Sequence, residues 1–279
     1  MKECIYDFFN YDGQMEKCID FDEKLLKEGK CLYEVIRLID GIPLFFEKHI
    51  ERLNNSARIT GLKLWLSGDE IKECIKKTAE ADNIYDGNIK IIFNFNDVTQ
   101  SNEFACYFIS HHYPSDEEYK HGVKTILYHG ERENPNAKII NNGFRNAVDK
   151  EIKEKGVYEA ILADNNGYIT EGSKSNIFLV KGNKVFTAPL STVLPGVTRD
   201  IILEILKRGN IPFYEEKIHY TELSSYEALF ISGTSPKVLP ISMVDDIKYN
   251  SSSNALVCRI MQYYSCRIKR YIDSKRSII

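Results

Sequence analysis

Residues 158–188 read YEAILADNNGYITEGSKSNIFLVKGNKVFTA. The apolar runs YEAILA and YIT flank Asn166-Gly167, and NIFLVK and KVFTA flank a turn at Gly182. Glycine beside asparagine supplies the left-handed backbone that tight strand reversals need, so this stretch predicts two consecutive β-hairpins. Toward the C-terminus, LPGVTRDIILEILKRGN (194–210) predicts a helix entered after Pro195-Gly196 and left at Gly209. ALFIS (228–232) predicts a strand, and a closing helix is expected over about 252–272.

Toward the N-terminus, VKTILYH (123–129) predicts a strand. A helix is expected over 142–155, with Phe144, Ala147, Val148 and Ile152 on one face and Gly156 as its stop. Further upstream, CLYEVIRLIDGIPLFF (31–46) reads as a hairpin turning at Asp40-Gly41. It is followed by a helix carrying Ile50, Leu53 and Ala57 and ending at Gly61. A second helix over 68–80 has Ser67 at its N-cap and Ile71, Cys74 and Ile75 on one face. IKIIFNF and FACYFIS predict a strand pair at 89–95 and 104–110. Between the halves, HHYPSDEEYKHG (111–122) is polar and lacks apolar periodicity, as an interdomain connection would. The expectation is an α+β protein with a smaller N-terminal domain at 1–113, a connection at 114–121 and a larger domain at 122–279.

The 279 residues are 43% apolar and 28% charged, values of an ordinary folded protein. Thirty-seven basic against forty acidic side chains give a net charge of −3, which offers no electrostatic footprint for nucleic acid. No apolar run approaches the roughly 20 residues of a membrane-spanning helix. Asp7 interrupts the start where an export signal would need apolar continuity, so a cytoplasmic protein is expected. The seven cysteines have no CxxC spacing and read as reduced thiols, and no histidine spacing suggests a metal.

Four local features carry chemistry. Lys138, in NPNAKIINNG, reads either as a solvated surface charge or, flanked by Ala137, Ile139 and Ile140, as an amine drawn inward and nucleophilic toward aldehydes. Glu171 ends a strand before Gly172; by itself it reads as a turn carboxylate, with Ser173 and Ser175 bonding nearby backbone. LPGVTRD places free helix amides and a hydroxyl after glycine, a pattern that holds phosphate or simply starts a helix. ISGTSP is a small-residue loop at a strand end, either a plain turn or a second anion nest. An amine, a carboxylate and two anion-binding loops are together what a protein needs to hold pyridoxal phosphate.

The spaced set K…YEAIL…TEGSKSNIF…LPGVTR…SGTS, within a likeness running from about Tyr33 to Val244, resembles the class IV aminotransferases, fold-type IV pyridoxal-phosphate enzymes. That family includes branched-chain and D-amino-acid aminotransferases and 4-amino-4-deoxychorismate lyases. The resemblance implies that Lys138 is the Schiff-base lysine and proton shuttle, and that Glu171 pairs with the pyridine nitrogen. It implies Arg52, Val197, Thr198 and Thr234 as phosphate ligands, and a homodimer in which loop residues near 97–103 reach the partner's site. YEVIR (33–37) sits where branched-chain members have an FEGIR-like segment and D-specific ones a YEV segment. Tyr33 and Arg37 share one strand face there, and with the turn Gly233-Thr234-Ser235 they are the expected carboxylate-binding residues. The arginine that D-specific members carry on a later strand is absent at Asn94 and Asn96. Arg145 is read either as a partner of Asp149 or as facing the pocket. The implied activity is amino transfer between an amino acid, branched-chain L or D, and a 2-oxo acid. The alternatives are the lyase and a cofactor-binding protein without turnover.

Overall fold

The computed structural model describes residues 3–96, 101–132, 134–140 and 142–276. It separates into two compact units. The first contains strands β1 (Phe8–Tyr11), β2 (Gln14–Lys17), β3 (Lys30–Ile39) and β4 (Ile42–Pro43), then helices α1 (Phe46–Thr60) and α2 (Gly68–Asp82), then β5 (Gly87–Asn96) and β6 (Ser101–Ile109). The strands form an antiparallel sheet in the order β2-β1-β6-β5-β3-β4.

The period-two alternation of β3 decides what each sheet face buries. Leu32, Ile36 and Leu38 pack with Leu53 and Ala57 of α1 and with Ile71 and Ile75 of α2. Tyr33 and Val35, on the opposite face, join Phe9, Phe21 and Tyr107. Asp40 and Gly41 turn the β3–β4 hairpin with positive φ (50° and 74°), as the Asp-Gly pair predicts. Ser67 and Glu70 form a reciprocal capping box that opens α2. Helix α1 starts differently: Phe45 at its N-cap is left-handed and offers no side-chain cap. The helix-start amide of Phe46 instead donates to the Tyr271 hydroxyl at 3.1 Å.

The second unit holds α3 (Asp116–His121), β7 (Val123–His129), α4 (Asn142–Lys155) and β8 (Glu159–Ala163), then β9 (Ile169–Gly172), β10 (Asn176–Lys181) and β11 (Lys184–Thr187). It continues with α5 (Val197–Arg208), β12 (Phe213–Glu215), β13 (Ala228–Gly233), β14 (Lys237–Val244) and β15 (Ile247–Lys248), and ends in α6 (Ala255–Arg276), which starts here. Its sheet runs β12-β11-β10-β13-β14-β7-β8-β9, with β15 beside β14. The pairs β11–β12, β14–β7 and β7–β8 are parallel and the others antiparallel. Both predicted hairpins, β8–β9 and β10–β11, are present.

The α+β architecture agrees with the sequence reading, and four details differ. The stretch read as a connection folds its residues 116–121 into α3, started by a Ser115–Glu118 capping box; one turn and a half is too short to show periodicity. Ala137–Ile140 and the chain from Lys269 onward pack in the first unit, so the units are not the continuous spans 1–113 and 122–279. On α4 only Val148 of the expected face is fully buried; Phe144 and Ile152 are half-buried and Ala147 is exposed. Cys4 and Cys18 are joined as a disulfide, against the expectation of reduced thiols, while the other five cysteines are free.

Candidate active site

In the first unit the site is built around Tyr33. The segment carrying Lys138 lies along the edge of β3: the Tyr33 amide donates to the Lys138 carbonyl (3.1 Å) and the Ile140 amide to the Cys31 carbonyl (3.1 Å). The Lys138 amide donates to the Ser56 hydroxyl of α1 at 3.2 Å. With its backbone fixed on two sides, Lys138 is half-buried and its Nζ sits 4.5 Å from the centre of the Tyr33 ring. A second ammonium, Lys90 Nζ of β5, lies 5.1 Å from the same ring. Lys90 is only 6% exposed and pairs with Glu3 at 2.5 Å.

The register places Val35 opposite Lys90 and Arg37 opposite Asn88, so Tyr33, Arg37 and Lys90 share one face of the sheet. The Lys90 site was missed by sequence reading. Its signal was a lysine inside the otherwise uncharged strand IKIIFNF, where a cation needs a partner or a function. Asn94 lies on that same face but commits its amide to the carbonyls of Leu25 (2.6 Å) and Glu28 (2.8 Å), anchoring the chain before β3.

Arg52 lies on the buried side of α1 in a three-residue network. Its Nε and one terminal nitrogen hold both oxygens of Glu34, at 2.7 and 2.6 Å, and His49 Nδ1 lies 2.7 Å from the same carboxylate. Burial would raise the Glu34 pKa, but the Arg52 charge and hydrogen bonds, with His49, outweigh it and hold the group at about 2. Burial also pushes the His49 pKa down, against the pull of Glu34.

In the second unit Glu171 lies next to the end of β9 at 3% exposure. The Leu194 amide donates to Oε2 at 3.0 Å and the Asn176 side-chain nitrogen lies 3.5 Å from the same oxygen. Arg132 lies 3.3 Å from Oε1. Asn176 also donates to the Leu194 carbonyl (3.0 Å), tying the carboxylate to the loop that opens α5. That loop leads into Gly196, Val197 and Thr198, and no side chain caps the helix start. A Cβ on Gly196 would fall on the Asn176 side-chain oxygen, so glycine is required there by close approach.

Thr198 is buried, with its hydroxyl 3.4 Å from the Tyr264 hydroxyl. Gly233 closes β13 and, with Thr234 and Ser235 of the turn that leads to β14, is half-buried. Ser173 and Ser175 do not serve nearby backbone as the simple turn reading supposes. Both bond the buried Glu159 carboxylate, which also accepts from the Lys174 amide at 2.6 Å. Burial raises the Glu159 pKa despite these donors. Arg145 is half-buried, and Asp149 pairs with Lys174 at 2.7 Å.

Residues 31–244 match the family model for the amino-transferase class IV. The chain belongs to the class IV aminotransferases. It is 29% identical over 266 residues to the branched-chain-amino-acid aminotransferase of Escherichia coli K12, covering 87% of this chain and 86% of that one. It is 26% identical over 239 residues to the D-alanine aminotransferase of Bacillus licheniformis, covering 82% and 84%. The solved structure of the E. coli branched-chain enzyme superposes with a TM-score of 0.84 at 25% identity, over 95% of each chain.

Class IV aminotransferases use pyridoxal phosphate. Each unit, taken by itself, carries groups of the kinds that this cofactor needs. The first offers a fixed primary amine at Lys138 and a buried guanidinium at Arg52. The second offers a buried carboxylate at Glu171, uncapped helix amides at Val197 and Thr198, and the Ser232 hydroxyl, buried with no hydrogen-bond partner among the described residues. Among those residues no helix is long and apolar enough to cross a membrane.

Proposed function

We propose that this aminotransferase moves an amino group between an amino acid, branched-chain L or D, and a 2-oxo acid, with pyridoxal phosphate as its cofactor. The observation that carries this reading is Lys138: a lysine pinned through its own backbone to β3 and Ser56, with its ammonium held over an aromatic ring. When bound, the cofactor supplies an electron sink conjugated to the substrate's α-carbon.

The chain's own residues do the rest. Lys138 would hold the cofactor through its primary amine and would move the proton at the substrate's α-carbon. Glu171, fixed as an acceptor by Leu194 and Asn176, would pair with the ring nitrogen and favour its protonated form. Arg52, the Val197 and Thr198 amides and the Thr234 hydroxyl hold the phosphate. Tyr33 and Arg37, with the Gly233-Thr234-Ser235 turn, bind the substrate carboxylate. Lys90 joins that set as a buried cation on the face of Tyr33. The relatives support both substrate classes, one being a branched-chain enzyme and the other a D-alanine enzyme.

The test is a panel of L- and D-amino acids offered with 2-oxoglutarate or pyruvate and read by the new amino acid formed. Transfer that disappears in Lys138→Ala is expected. No transfer with any pair, or full transfer by Lys138→Ala, would overturn the reading. Pyruvate release from 4-amino-4-deoxychorismate without an acceptor would favour the lyase.

A further inference from the structure

Glu159, the first residue of β8, is a buried carboxylate that the chemistry above does not use. One of its oxygens, Oε1, is wrapped by the turn that follows Glu171. The Lys174 amide donates to it at 2.6 Å, the Ser175 hydroxyl at 3.0 Å and the Ser173 hydroxyl at 3.4 Å. The turn is closed on itself, with the Gly172 amide donating to the Ser175 carbonyl at 2.8 Å, and tied to β8 through the Ser173 amide and the Ala160 carbonyl (2.9 Å). A Cβ on Gly172 would stand 2.6 Å from the same Oε1, so the carboxylate fills the space beside the turn. The residues on either side of the turn are Glu171 and Asn176, whose side chains lie 3.5 Å apart and both bond Leu194. Burying a carboxylate is costly, and burial raises the Glu159 pKa even against these donors. A buried polar cluster whose members satisfy one another repays that cost by holding a single geometry.

We propose that Glu159 is a positioning residue for Glu171: by gathering the 172–175 turn around one oxygen, it fixes Glu171 against Asn176 and so aims the Glu171 carboxylate. The inference rests on the pyridoxal-phosphate reading above, in which Glu171 meets the ring nitrogen. Glu159 acts only through the turn. Its three donors converge on a single oxygen, so an amide oxygen in the same place can serve them, and the role is one of shape and hydrogen bonding rather than of charge.

The experiment compares the cofactor-loaded wild type, Glu159→Leu and Glu159→Gln, with Glu171→Gln as reference. It reads the protonation of the ring nitrogen by nitrogen NMR of cofactor labelled at that atom, beside kcat, KM and thermal stability. Misplacing a carboxylate by a fraction of an ångström to an ångström should lower kcat of Glu159→Leu about ten- to 100-fold, with KM little changed. Its ring-nitrogen signal should move toward that of Glu171→Gln, and Glu159→Gln should keep both properties near wild type. A Glu159→Leu protein that melts lower yet keeps the wild-type ring signal would overturn the proposal, whatever its kcat. So would a Glu159→Gln protein as impaired as Glu159→Leu. Should Glu159→Leu fail to fold, the double variant Ser173→Ala/Ser175→Ala, which removes two of the three donors, decides by the same signal: an unmoved one overturns the proposal. A Glu171→Gln signal identical to that of wild type would instead overturn the role of Glu171, and this assignment with it.

Discussion

The Leu194 amide donates to Glu171 Oε2 at 3.0 Å, two residues before the glycine that opens α5. The group assigned to the ring nitrogen and the helix start assigned to the phosphate are thus parts of one hydrogen-bonded loop, closed by Asn176. The spacing between these two ends is set by backbone and amide geometry rather than by long flexible side chains.

Glu171→Gln preserves that geometry, since a glutamine oxygen still accepts from Leu194, but it cannot hold a ring nitrogen protonated. The expected result is a fall in kcat on the order of 100-fold with the cofactor still bound. Steady-state kinetics beside an absorbance titration check it, and an unchanged kcat with proton transfer rate-limiting would refute the role.

The Glu34–Arg52 pair makes stability depend on acid. Because the folded-state pKa of Glu34 is lowered to about 2, its contribution is fully present above the unfolded value near 4.5 and is lost as pH falls toward 2. Glu34→Gln leaves Arg52 buried without its counter-charge and should cost about 3–5 kcal/mol near neutrality. The gap between wild type and variant in denaturant melts should narrow as the pH approaches 2–3. A constant gap from pH 6 to pH 3 would mean the pair carries no such linkage.

Arg37→Ala and Lys90→Met should each raise KM for the donor or for a dicarboxylate acceptor. Losing a charge-assisted bond costs about 1.5–3 kcal/mol, and the cofactor spectrum should not change. If every accepted substrate keeps its kinetics in both variants, the carboxylate lies elsewhere.

Sedimentation should show a homodimer, with activity lost on dissociation. Of the loop expected to reach the partner, residues 97–100 lie outside the described residues, whereas Ser101 onward forms β6. A fully active monomer would remove the expectation.

Most of the fold could be read from local pattern, because Gly41, Gly61 and Gly167 punctuate it and each has the positive φ its turn or cap requires. Lys138 and Glu171 were singled out for a different reason: their flanking residues form a long spaced set. What could not be read was pairing at a distance. Lys90 reaches Tyr33 and Glu3 across strands, and Arg132 reaches Glu171 from 39 residues away. Asn94 looked like a missing arginine, but its amide serves carbonyls 66 and 69 residues upstream. Nothing in the spacing of Glu159, Ser173 and Ser175 announces that a buried carboxylate anchors the turn after Glu171.

The segment bearing Lys138 returns to the first unit, and so does the chain from Lys269, where Tyr271 caps α1 and donates to Glu47. The polypeptide therefore passes between the units four times, and no single cut yields either one whole. A fragment ending at His112 would lose the strand edge that covers β3 and the cap on the helix carrying Arg52, so its sheet would be left with an open, sticky border. The two units should accordingly resist exchange as independent modules: domain shuffling between relatives would have to carry three separate pieces of chain at once.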